Sequence, residues 1–148
     1  MIIIAPFAQV LQNKKRNPKN YPYWELLIEK LEATEHLIQV GRTGEQQLVK
    51  DFRVDLPIPE LRNLLRQCKT WIGVDSFFQH LAWDECVPGI VLWSVSDPLI
   101  YGHPENVNLL KDRSYLTPNQ FLLWDYTPYN EDAFVKPDVV LDVLAKLQ

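Results

Sequence analysis

The chain reads as α/β, a Rossmann-like open parallel sheet of about five strands in a single domain. Three observations predict this. Ile2-Ile3-Ile4, Thr70 to Val74 and Pro88 to Trp93 are largely apolar runs, as in parallel strands covered on both faces. Between such runs lie segments with apolar residues at helical spacing, the clearest being Trp24, Leu27, Ile28 and Leu31. The two kinds of segment alternate along the chain, and alternating strands and helices build a parallel sheet with helices on both sides.

Taken in order, the first strand begins at Ile2 and is followed by the polar, basic loop Asn13 to Asn20, NKKRNPKN. Tyr21-Pro22 leads into a helix from about Tyr23 to Ala33. His36 to Val40 is a second strand, ended by Gly41-Arg42-Thr43-Gly44, and Glu45 to Lys50 has the composition of a short helix. Phe52 to Leu56 supplies a third short strand. Pro57 and Pro59 interrupt the chain before a helix from about Glu60 to Cys68, with Leu61, Leu64 and Leu65 inward. Thr70 to Val74 is the fourth strand and Ser76 to Cys86 the helix after it. Pro88 to Trp93 is the fifth strand, with Ser94 to Pro98 as its turn. Residues 99–136 lose this pattern: Pro, Tyr, Asn and Asp dominate, and TPNQFLLWDYTP is the one apolar island. So long an irregular stretch is expected to be a binding or docking surface, or a cover for the sheet edge. A last helix, Val139 to Leu147, carries Val140, Val143, Leu144 and Leu147 on one side. One domain over 1–148 accounts for the whole chain.

Bulk properties exclude several classes. A length of 148 residues with 47% hydrophobic and 23% charged residues is that of a globular domain with a real core. The formal charge of −4 disfavours general nucleic-acid binding through phosphate neutralisation. No apolar run approaches a membrane span, and MIIIAPFA lacks the basic start and the length of a signal peptide, so a cytoplasmic protein is expected. Cys68 and Cys86 are in no C-x-x-C pattern and read as reduced, packed thiols. His36, His80 and His103 are scattered, and no Walker loop or metal-ligand spacing occurs, so neither a metal nor another cofactor is expected.

The stretch that carries chemistry is the joint Asp75-Ser76. There a buried strand meets a helix N-terminus, whose unpaired N–H groups and positive dipole end suit an anion. In a doubly wound sheet three loops converge at that end: the basic loop with Lys14, Lys15, Arg16 and Lys19, the Asp75-to-His80 joint, and the Ser94-to-Pro98 turn. A cationic loop facing a helix N-terminus forms a seat for a diphosphate. The plainer alternatives are that Asp75 only caps its helix, that His80 is a satisfied core histidine, and that the basic cluster is a solvated loop.

GVDSFFQHLA followed by VPGIVLWSVSDP resembles the GNDSGPMHLAAALGVPVVALFGPTDP pattern in the C-terminal, nucleotide-sugar-binding domain of the heptosyltransferase family, glycosyltransferases of the GT-B type. Asp75, Ser76, His80, Leu81, Ala82, Val87-Pro88 and Asp97-Pro98 match, and a weaker likeness runs from Met1 to about Asn108. The resemblance implies that the chain is half of a GT-B fold. It implies that Lys19, in Lys19-Asn20-Tyr21-Pro22, contacts the nucleotide phosphate, and that Glu45 lies near the ribose. It further implies that Ser76 and the N–H groups after it hold the diphosphate, with Asp75 at the strand end, His80 supporting the loop or reaching a phosphate oxygen, and Ser96 and Asp97 in the turn beside the ligand. Two departures stand out. Phe77 replaces a family glycine that lets backbone approach phosphate, and the turn Ser94 to Pro98 lacks the glycine of GPTDP.

Two functions follow. The first is a glycosyltransferase-related domain that binds the diphosphate of a nucleotide-sugar, or a nucleoside diphosphate, as one half of a metal-independent inverting sugar transferase. GT-B enzymes bind the acceptor on an N-terminal domain that these residues do not supply, so a second chain or a second copy is expected. The second is a non-catalytic binding or protein-interaction module derived from the same fold. No catalytic residue is assigned.

Overall fold

Ile2, Ile3 and Ile4 are completely buried, and the strand they form, β1 (Ile2–Ala5), has a parallel neighbour on each side. The computed structural model describes residues 1–147. Six strands make one all-parallel sheet in the order β3-β2-β1-β4-β5-β6, the others being β2 (Leu37–Gly41), β3 (Asp51–Val54), β4 (Thr70–Val74), β5 (Ile90–Leu92) and β6 (Val107–Leu109). The register sets Ile3 beside Ile38 on one side and Trp71 on the other. Alternate side chains then sort by face. Ile2 and Ile4 pack with α1 (Trp24–Glu32) and α5 (Pro137–Lys146), while Ile3 and Ala5 pack with α2 (Ile58–Gln67) and α3 (Phe77–Asp84).

The sheet has a sixth strand because Val107-Asn108-Leu109 pairs with β5, inside the stretch that sequence alone leaves irregular. Its side chains are only half buried, so it carries no apolar run to read. The same stretch contains α4 (Pro98–Tyr101) and three 3₁₀ turns, Arg113–Tyr115, Trp124–Tyr126 and Glu131–Ala133. It then returns across the loop after β1. Tyr129 donates its hydroxyl to the Asn20 carbonyl at 2.7 Å, Tyr21 donates to Val135 at 2.8 Å, and Phe134 enters the core beside Tyr21. This brings α5 back against α1, where Lys30 meets Asp138 at 3.2 Å.

Glu45 to Lys50 is not helical. Gln39, fully buried in β2, accepts from Leu48 and Val49 N–H at 2.7 and 3.1 Å and donates to the Gln46 carbonyl at 2.8 Å. Those bonds claim the backbone groups a helix would need, and Val49 is buried in the core instead. The helix after β4 stops at Asp84, and Cys86 follows with φ 59° and an exposed thiol, so only Cys68 is partly packed. Helix α2 starts at Ile58, two residues early, because Pro59 fits the first helical turn.

Candidate functional site

Strand order reverses between β1 and β4, and an open crevice is expected beyond their C-terminal ends. A cleft of about 1060 Å³ lies there. Its walls are the loop after β1, the turn Gly41 to Glu45 after β2, the joint from Asp75 to His80, and Tyr101, Leu123 and Trp124.

Asp75 is the buried centre of the joint. It does not cap α3: its Oδ1 accepts from Gln79 Nε2 at 2.7 Å, and its Oδ2 accepts from Ser96 Oγ at 2.8 Å and pairs with Lys19 Nζ at 2.9 Å. Gln79 is fully buried, and turning its donor end to the carboxylate leaves Oε1 without a partner among the described residues. Ser76 is the N-cap residue of α3, extended at φ −153°, and its side chain makes no capping bond. The N–H groups of the first turn, which have no partner within a helix, are thus uncapped at the cleft. Phe77 lines the cleft with 56% of its surface exposed, and its ring stands at the mouth rather than in the core.

Lys19 is brought in by a tied loop. Asn17 accepts from the Lys19 N–H at 2.9 Å and donates to the Gln9 carbonyl at 2.8 Å, while Ser94 Oγ donates to the Pro18 carbonyl at 2.8 Å. The Lys19 ammonium also lies 4.4 Å from the centre of the Trp124 ring, a cation–π contact. Lys14, Lys15 and Arg16 are exposed and do not line the cleft, and Arg16 lies over Tyr129 at 3.8 Å. The solvated-loop reading therefore fits Lys14 and Lys15, whereas Arg16 packs on Tyr129 and Lys19 lines the cleft.

Glu45 lines the β2 side, and burial raises its carboxyl pKa above the ordinary value, against the lowering effect of its hydrogen bond with Arg42. A Cβ on Gly41 would stand 2.2 Å from Glu45 Oε2, so glycine is required for that carboxylate to fold back over the strand end. His80 is exposed and lines the cleft; it is not a core histidine. Burial and then the neighbouring His103 hold its pKa below the ordinary value.

Ser96 and Asp97 are buried behind the cleft and do not line it. Ser96 supports Asp75, whereas Asp97 caps α4 by accepting from Leu99 N–H at 2.9 Å and takes two bonds from Arg113 at 2.7 and 3.1 Å. The structure thus gathers Lys19, Glu45, Asp75, Ser76 and His80 around one cleft and sets Ser96 and Asp97 beneath it. Residues the sequence reading missed are Trp124, Arg42 and Asp55, whose carboxylate is bonded by the Thr43 hydroxyl. Trp124 had a signal, since it lies in the apolar island of the irregular stretch. Lys19, Arg42 and Arg53 face Glu45, Asp55, Asp75 and Asp125, so the side chains alone do not make the cleft positive. The helix end has to supply the attraction for an anion.

No protein-family model matches the chain, and no curated protein matches it significantly. Solved structures do match. The dodecameric iron-containing glycosyltransferase TibC from enterotoxigenic E. coli superposes with a TM-score of 0.69 at 19% identity, covering 99% of this chain and 45% of that one. The fold is glycosyltransferase-like. The E. coli ADP-heptose LPS heptosyltransferase II gives 0.68 at 17% identity, and the family 9 glycosyl transferase from Veillonella parvula 0.70 at 13%, each with the same coverage. At such identities the likeness is one of fold: this all-parallel sheet matches the Rossmann-like half of a GT-B structure. The chain spans less than half the length of the structures it matches. TibC has also been solved in complex with ADP-D-beta-D-heptose. Among the described residues no helix is long and apolar enough to cross a membrane, and no group of three or more His, Cys, Asp or Glu is placed to hold a metal.

Proposed function

We propose that this chain is the nucleotide-sugar-binding domain of a heptosyltransferase-like glycosyltransferase, corresponding to the C-terminal half of a GT-B enzyme. The observation that carries the reading is the uncapped N-terminus of α3, with Lys19 paired to Asp75 beside it, in a cleft at the switch point of the sheet. In this reading the diphosphate sits on the first-turn N–H groups beside the Ser76 hydroxyl. Lys19, held by Asp75 and by Trp124, faces it, and Glu45 meets the ribose. His80 reaches a phosphate oxygen, while Ser96 and Asp97 stiffen the floor. Transfer is an in-line displacement in which the helix end and Lys19 stabilise the departing diphosphate. The acceptor is held by a second chain or a second copy placed over the strand ends. Exposed apolar side chains at the cleft support this, with Phe77 and Leu123 each more than half exposed. A cytoplasmic setting fits such chemistry.

A non-catalytic binding module derived from the same fold is the second reading. It is favoured by the carboxylate already paired with Lys19 and by Phe77 at the phosphate seat. A thermal-shift series with ADP, UDP, GDP and their sugar conjugates tests nucleotide binding. A ligand at a hundred times its Kd stabilises by about 2.7 kcal/mol, or about 5–10 °C for a domain of this size. No shift with any of them contradicts both the transferase and the nucleotide site. A shift without transfer, in the presence of candidate acceptors and partner chains, selects the second reading.

A further inference from the structure

His80 and His103 make a contact that the nucleotide reading leaves unexplained. His80 Nδ1 lies 2.8 Å from His103 Nε2, with the rings edge to face at 5.0 Å. His103 is itself held. Its ring stacks on Trp83 at 4.8 Å and 12°, and Trp83 lies three residues beyond His80 on α3, so the two share a face. The His103 carbonyl accepts from Asn106 N–H at 3.1 Å and from Asn108 Nδ2 at 2.9 Å, and Asn108 Oδ1 accepts from the buried Trp93 indole at 2.9 Å. The loop after α4 is thus anchored on β6 and carries one imidazole to the side of another.

Between two neutral imidazoles one nitrogen donates and the other accepts. His80 Nε2 has no protein partner among the described residues, and His80 lines the cleft, so Nε2 is the nitrogen left for a ligand. If His103 donates, His80 Nδ1 is the acceptor and Nε2 carries the hydrogen, which suits an anion. If His103 accepts, Nε2 turns a lone pair toward the cleft, which repels one. We propose that His103 is a positioning residue for the cleft, fixing His80 in the Nε2–H form and aiming that donor at a phosphate-bearing ligand, with Trp83 holding His103 in place. This rests on the nucleotide reading of the cleft.

The groups facing His80 are His103 from the loop after α4, Asp75 from the end of β4 and Lys19 from the loop after β1. Burial and then His103, 2.8 Å away, hold the His80 pKa below the ordinary value, so at pH 7.5 His80 meets an anion as a neutral donor. Anion binding then tightens as pH falls and His80 takes up a proton.

The test uses the whole chain and ADP as probe, titrated calorimetrically between pH 5 and pH 8. His103→Phe keeps a ring against Trp83 and removes the donor, whereas His103→Gln keeps a donor. At pH 7.5 His103→Phe is expected to weaken ADP by about five- to tenfold, the scale of one ordinary hydrogen bond. His103→Gln should stay within about twofold, and neither change should have an effect on a His80→Ala background. Nitrogen-15 imidazole spectra of the free protein give a readout without ligand: His80 should be the Nε2–H tautomer in the parent and a mixture in His103→Phe. A mixed tautomer in the parent, equal losses in the Phe and Gln variants, or a His103→Phe effect that persists without His80 would overturn the proposal. If the parent shows the fixed tautomer and no ADP affinity, it is the nucleotide reading of the cleft that fails, and with it the ligand assigned here.

Discussion

The joint after β4 and the turn after β5 are built from the same materials, a serine and an aspartate between a buried strand and a helix, yet only the first opens onto a cleft. After β5, Asp97 performs the capping that its sequence advertises and is then sealed by Arg113, with Gln120 accepting from its N–H at 2.8 Å. After β4, Asp75 turns inward to Lys19, Gln79 and Ser96, and the helix it precedes stays uncapped. Ser96 links the two, since the sealed turn braces the open one. The difference is one of topology. Strand β4 stands where the order reverses and its joint opens onto the cleft, whereas the chain after β6 closes on the end of β5, where the Thr117 N–H meets the Val95 carbonyl at 3.1 Å.

The sharpest way to break this comparison is Asp75→Ala. It strands a nearly buried ammonium and two buried polar side chains, and should cost about 3–5 kcal/mol in chemical denaturation. A loss below about 1 kcal/mol would mean the joint is not braced from within.

Arg113→Met tests the sealed turn through its acid limb. The Arg113 guanidinium holds the Asp97 carboxyl below its ordinary value. A carboxyl depressed in the folded state contributes stability that is present above the unfolded value, about pH 4, and is lost as pH falls through the lower folded value. The parent should therefore lose stability from about pH 4 downward more steeply than Arg113→Met, as read by melting temperature against pH. Identical acid limbs would remove Arg113 as the seal.

Much of this was legible beforehand. Ile2 to Ile4, Thr70 to Val74 and the stripe Trp24, Leu27, Ile28, Leu31 announce buried strands and a helix because burial on both faces, or on one, leaves a periodic mark. The site was legible as a place, through the Asp75-Ser76 joint and Lys19. Strand β6 was not, because three half-buried residues, the middle one Asn108, leave no such mark. Nor was the role of Gln39, a single polar residue whose bonds reach seven to ten positions away and cancel a local helix. Contacts such as Arg113 with Asp97, Trp124 over Lys19 and His80 with His103 join distant parts of the chain, and no local pattern encodes them.

Smaller effects sharpen the open joint. Phe77→Gly replaces a half-exposed ring at the start of α3 and should cost about 1 kcal/mol or less. It should also tighten a nucleoside diphosphate if the ring stands in the phosphate seat, as isothermal titration would show, and unchanged affinity would place Phe77 outside the seat. Ser76→Ala should move the melting temperature least. An N-cap serine is ordinarily worth about 1 kcal/mol, but this one makes no capping bond, so only ligand affinity should fall. Equal stability losses for Ser76→Ala and an Asp97→Ala control would erase the contrast between the two joints.

The most direct test of the central claim is an amide chemical-shift titration of the isotopically labelled chain with ADP. The account predicts saturable shifts centred on the backbone N–H groups of Phe77 and Phe78, extending to Lys19 and Glu45, with the sealed turn from Ser94 to Asp97 shifting less. Shifts confined to another face, or none at millimolar ADP, would contradict an anion seat at the start of α3.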